Sequence, residues 1–157
     1  MEAFKFSLNR VRNYKSQVLD KEKKVLGMLQ RKRDEIIERI NSLERYRDDK
    51  IDELRLKQQK GASMSELSSY NYLIENARIQ IKAARIELLK AEEEIEAQRQ
   101  VVISVYQEKT GMDKLEEKQV EEYRLLEAKS EENEIMQVIS NRIADKSFNN
   151  DSKSGIA

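Results

Sequence analysis

From Leu67 to Val105 the apolar residues recur at alternating steps of three and four: Leu67, Tyr70, Ile74, Ala77, Ile81, Ala84, Leu88, Ala91 and Ile95, then Val102 and Val105 after one interruption at Gln98. This spacing keeps a single stripe of a helix turned toward a partner helix, and a stripe held so long is the pattern of a coiled coil. The residues between are largely charged. A chain of this kind buries a seam and no globular core, so its function is expected to lie in surfaces offered to partners.

Composition agrees. Of the 157 residues 38% are charged, none is proline and four are glycine, so little punctuates a fold of many elements. A high share of Ala, Glu, Lys, Leu and Arg with helical periodicity marks long helices. The absence of cysteine excludes a disulfide framework and thiolate chemistry. No apolar run approaches the length of roughly 18 residues that a transmembrane helix needs. Met1–Arg12 lacks the apolar region of a signal peptide, so the expectation is a soluble, intracellular protein. The net charge of zero hides an asymmetry: residues 1–60 carry 17 Lys/Arg and 11 Asp/Glu, and residues 61–157 carry 13 and 19. The two halves differ either because their solvated faces differ or because they lie against each other; the second reading is the sharper.

The punctuation falls at Lys60-Gly61-Ala62-Ser63-Met64-Ser65-Glu66. Gly61 suits the position past a helix C-terminus, and Ser63 with Glu66 forms a capping box. The expected fold is all-α, a long antiparallel two-helix coiled coil in one domain over 1–147. Helix one covers about 3–60, the turn 61–63 and helix two about 64–143; residues 148–157 have a disorder-prone composition. Helix one has a seam of its own through Val11, Val18, Val25, Leu29, Ile36, Ile40, Leu43, Ile51 and Leu54. A turn near Ala62 sets Leu43 against Ile81, Ile40 against Ala84, Ile36 against Leu88, Leu29 against Ile95, Val18 against Val105 and Val11 against Met112. Residues from about 121 to 143 then have no partner within the chain, although Tyr123, Leu126, Ile135, Val138, Ile139 and Ile143 keep a helical pattern.

Catalysis is not expected. The chain has no histidine, no glycine-rich phosphate loop and no dinucleotide fingerprint. Carboxylate runs such as Glu92-Glu93-Glu94 lack walls to hold a substrate, and no cofactor or metal site is expected. Basic clusters such as Arg31-Lys32-Arg33 are interleaved with acids, so no nucleic-acid surface is expected either. The few aromatic and large apolar groups off the seam are the candidates for binding another protein. Tyr46, Tyr72 and Leu73 lie close to the turn. Phe4, Phe6, Tyr123, Leu126 and Ile135 form a second candidate surface at the open end, where the blander reading is that Phe4 and Phe6 cap the core.

In order along the chain come Phe4-Lys5-Phe6-Ser7-Leu8 with Val11, Tyr14 and Lys15, then the Gly61–Glu66 turn. Leu67-Ser68-Ser69-Tyr70 and Tyr72-Leu73-Ile74 follow, and late in helix two Lys114-Leu115-Glu116-Glu117-Lys118, Tyr123 and Asn133-Glu134-Ile135. In this combination the chain resembles the FliJ/YscO family of type III secretion stalk proteins. The resemblance covers residues 1 to about 142. It implies a hairpin similar to the γ stalk of rotary ATPases. It further implies a cytoplasmic, non-enzymatic component of bacterial flagellar export, peripheral to the membrane at the flagellar base. Its implied partners are an export ATPase (FliI-like), an export-gate membrane protein (FlhA-like) and export chaperones, and the chain itself is expected to be a monomer. Contacts with the gate are expected near the turn, where Tyr46 and Leu73 stand. Two other readings fit the residues: a plain coiled-coil scaffold or tether that dimerises through the free end of helix two, and a helical chaperone.

Overall fold

A computed structural model describes residues 2–155. Two helices, α1 (Asn9–Lys60, 52 residues) and α2 (Met64–Ser154, 91 residues), account for nearly all of it, and there is no strand among the described residues. The fold is an all-α hairpin. Its turn is built as its residues dictate. Gly61 takes φ = 86°, which a residue without a Cβ adopts freely. The Ser63 hydroxyl accepts the Glu66 amide at 3.2 Å, and the Ser63 carbonyl accepts the Leu67 amide at 3.1 Å, closing the first turn of α2. Lys57 and Lys60 sit in the last turn of α1, where cations complement the helix dipole, and Lys57 lies 3.9 Å from the Glu66 carboxylate across the turn.

The chain divides into two compact units, and both helices contribute to each. Lys15–Gln107 forms the larger unit. Its α2 seam is as expected: Ile74, Ala77, Ile81, Ala84, Ala91 and Ile95 are buried, and Leu67, Tyr70, Leu88 and Gln98 half-buried. Ile36 and Ile40 of α1 pack with Ala84, Leu88 and Ala91, large side chains set against small ones. Ion pairs flank this seam on both sides. Arg39 pairs with Glu87, each just before a seam position, and Arg85 pairs with Glu44 at 2.7 Å, each just after one. In an antiparallel pair these positions face their counterparts, so the two pairs fix direction as well as register.

The α1 seam differs from expectation toward its N-terminus. Counting back from Ile36 in steps of three and four leads to Arg33, Leu29, Leu26, Glu22 and Leu19. Leu19, 3% exposed, is the buried residue there, while Val18 is half-buried beside it and Val11 is 41% exposed. A search for apolar residues alone misses this path, because Glu22, Arg33, Arg47 and Lys50 occupy seam positions, all half-buried. The break at Gln98 is explained by Glu22: the Gln98 amide donates to the Glu22 carbonyl at 3.0 Å and to its carboxylate, a polar layer that completes itself.

Met1–Tyr14 with Glu108–Ala157 forms the second unit. Here α1 starts at Asn9, six residues later than expected. The alternation in Phe4-Lys5-Phe6 has the period of extended chain: Phe6 is buried, Lys5 exposed and Phe4 half-buried. A turn closed by the Asn9 amide on the Phe6 carbonyl then opens the helix. At the other end α2 continues past the expected stop near Ile143 and includes residues 148–154. Nothing before Gly155 interrupts it. Ser147, Ser152 and Ser154 each donate to the carbonyl three residues back, so polar side chains typical of disorder are accommodated on a helix. The rest of the tail, Ile156 and Ala157, lies outside the described residues.

Candidate partner-binding surfaces

Near the turn, Tyr46 and Leu73 border the same side of the seam, since each stands one residue before a seam position (Arg47 and Ile74). Tyr46 is 42% exposed. The Lys50 ammonium lies 5.5 Å from its ring centre and hydrogen-bonds Glu53 at 3.1 Å. That bond raises the Lys50 pKa above its ordinary 10.5, and the tyrosines Tyr46 and Tyr70 add to the effect, so the ammonium remains charged over the ring at neutral pH. Tyr72 is 69% exposed and points away from the seam. With Leu73 and the serines Ser65, Ser68 and Ser69 it lines a shallow groove along the first turns of α2. Tyr72 and Leu73 thus come together, and Tyr46 stands apart from that groove. Leu73 is half-buried, so part of its side chain already serves the hairpin.

The second candidate surface separates into two parts. Phe4 packs on Tyr123 with ring centres 5.6 Å apart and planes at 55°, and the Tyr123 hydroxyl donates to the Glu2 carbonyl. Phe6 is 8% exposed beneath the Arg12 guanidinium, 5.3 Å from its ring centre. Arg12 also pairs with Glu116 and reaches Asp113 at 4.0 Å. Phe4, Phe6 and Tyr123 therefore serve intrachain packing, as in the blander reading, and α2 keeps an intrachain partner as far as Tyr123. Arg12, which holds this cluster together, is invisible to a search for apolar or aromatic anchors. Leu126 and Ile135 are different, 58% and 60% exposed on α2. Ile135 lines a shallow concavity with Glu131, Glu134, Val138, Ile139 and Arg142. Among the described residues no group of three or more acidic side chains is placed to hold a metal ion, and no helix is long and apolar enough to cross a membrane.

The buried seam is narrow, and large exposed side chains stand along both helices. The model of the flagellar FliJ protein family matches residues 4–135. The chain belongs to the FliJ family. No curated protein and no solved structure matches it. FliJ membership carries a role related to flagellar export, as a non-catalytic component of that apparatus. The matched span contains Tyr46, Tyr72, Leu73 and the Phe4–Tyr123 contact, and it ends at Ile135, short of Val138, Ile139 and Arg142.

Proposed function

We propose that this chain is a stalk or escort of the bacterial flagellar type III export apparatus, without enzymatic activity of its own. In this reading it works in the cytoplasm, peripherally associated with the membrane at the flagellar base. It couples an export ATPase of the FliI kind to an export-gate membrane protein of the FlhA kind, and assists the recycling of export chaperones. The observation that carries the reading is the family match over residues 4–135, joined to a hairpin whose exposed aromatic groups stand beside the turn. A two-helix coiled coil of this sort suits a stalk similar to a rotary-ATPase γ subunit.

The surface proposed for the gate is Tyr46, Tyr72 and Leu73. The test is a pull-down of the full chain against the export ATPase and against the cytoplasmic domain of the gate. Tyr46→Ala with Tyr72→Ala removes two exposed anchors and leaves the seam intact, so melting is expected to stay unchanged. Truncated interface anchors typically cost more than about 1 kcal/mol each, so gate binding is expected to weaken at least about tenfold. Lys82→Ala is expected to leave binding as it was. Wild-type gate binding by the double variant would remove this surface from consideration, and loss of neither partner from the wild-type pull-down is a precondition the stalk reading must meet.

A further inference from the structure

Within the larger unit, α2 changes character after Ile95. Ile95 is 3% exposed, but every residue of α2 from Glu96 to Gln107 is exposed or half-buried. The first seam position of this stretch, Gln98, meets Glu22 of α1 through hydrogen bonds. Both residues are only half-buried, so water can replace those bonds, and the layer adds less to pairing than an apolar one. Gln100-Val101-Val102-Ile103-Ser104-Val105-Tyr106-Gln107 follows without a charged residue. It therefore offers α1 no ion pair of the kind that Glu87 and Arg85 make with Arg39 and Glu44. Its composition also opposes the helix. Four of the six residues from Val101 to Tyr106 are branched at Cβ and one is serine, whereas Ile74–Ile95 contains Ala77, Ala83, Ala84 and Ala91. What holds the stretch helical is the seam. Val102 and Val105 are half-buried, and since Gln98 meets Glu22, the antiparallel count puts Val102 opposite Val18 and the buried Leu19.

We infer that residues 100–107 are an opening point built into the paired hairpin. There α2 leaves α1 and loses its helical hydrogen bonds far more often than over Ile74–Ile95, and Leu19, Val102 and Val105 are transiently exposed. Three weaknesses coincide at this place: a polar layer in the seam, a run without flanking ion pairs, and side chains that lose rotamer freedom in a helix. The seam around Ile36, Ile40 and Ala84 has none of them and stays closed while the opening point breathes. The device lets a long hairpin yield at one place without unfolding.

The test is amide hydrogen exchange of the full chain, resolved by segment. Exchange over 100–107 is expected to be at least about tenfold faster than over 74–95. Two sets of variants separate local opening from unfolding of the whole hairpin. Ile103→Leu with Ser104→Ala changes two exposed positions to better helix formers and leaves the seam intact, so exchange over 100–107 is expected to slow about threefold. Ile40→Val weakens the sealed seam, which stays packed when 100–107 opens. It is expected to speed exchange over 74–95 about threefold or more and to leave 100–107 as it was. Wild-type exchange over 100–107 as slow as over 74–95 overturns the inference. Equal acceleration of both segments by Ile40→Val, or unchanged exchange over 100–107 in Ile103→Leu with Ser104→Ala, overturns it equally.

Discussion

Helix α2 has two stretches of similar composition and opposite circumstance. Between Ile74 and Ile95 it carries an apolar residue at nearly every seam position, and most are buried against α1. Between Leu125 and Ile143 it carries Leu125, Leu126, Ile135, Met136, Val138, Ile139 and Ile143, and all are between 47% and 66% exposed. Both stretches are helical and free of proline. What separates them is a partner. Apolar content becomes stability only when a second surface removes it from water, and the hairpin supplies that surface in the first stretch alone. Covering the second stretch would therefore not compete with folding of the hairpin.

Charge in the seam sharpens the contrast most. Ile40→Asp or Ile81→Asp buries an unpaired carboxylate at a site 7% or 3% exposed, and is expected to cost several kcal/mol and a large drop in melting temperature. Ile139→Asp, chemically the same change, is expected to leave the melting of the dilute protein unaltered. Circular dichroism on the three variants checks this; equal losses would erase the distinction between the stretches.

A smaller effect tests the corrected register of α1. Leu19→Ala empties a buried position and is expected to cost about 2 kcal/mol or more, and Val18→Ala, beside it, clearly less. Denaturant titration separates them, and the reverse order would restore Val18 to the seam.

This register shows what was legible in the chain. The α2 seam was, because its positions are apolar almost without exception and Ser63, Glu66 and Gly61 mark the turn with residues whose chemistry the turn requires. The α1 seam was legible at Leu29, Ile36, Ile40, Leu43 and Leu54. Elsewhere it passes through Glu22, Arg33, Arg47 and Lys50, charged residues that stand half-buried at seam positions, and hydropathy scores such residues as surface. The start of α1 is hidden because Phe4-Lys5-Phe6 has no residue that breaks a helix, although its alternation carries the extended period. Of the candidate surfaces, Tyr46 and Tyr72 stand exposed as their off-seam positions suggest. Phe4, Phe6 and Tyr123 do not, because their partners, Arg12 and the Glu2 carbonyl, are a charged side chain and a backbone group that no apolar pattern reports.

The flanking charges are expected to contribute least. Arg39→Ala removes the pair with Glu87 at a site where both side chains are about half exposed, and is expected to cost about 0.5 kcal/mol, less in high salt. Glu96 offers a comparable effect through pH. The Gln100 amide donates to its carboxylate at 3.0 Å and Arg99 at 2.9 Å, which holds its pKa below the ordinary 4.5. Its contribution is present above pH 4.5 and is lost as the pH falls through the lowered value of the folded state, so Glu96→Gln should slightly flatten the acid limb of the stability profile. A steeper acid limb in that variant would mean the sign is wrong.

The central claim is that pairing, not composition, stabilises α2, and amide hydrogen exchange on the dilute monomer tests it most directly. Exchange is expected to be slow from Ile74 to Ile95 and fast from Glu131 to Ser154. Equal protection of the two stretches in a verified monomer would contradict it.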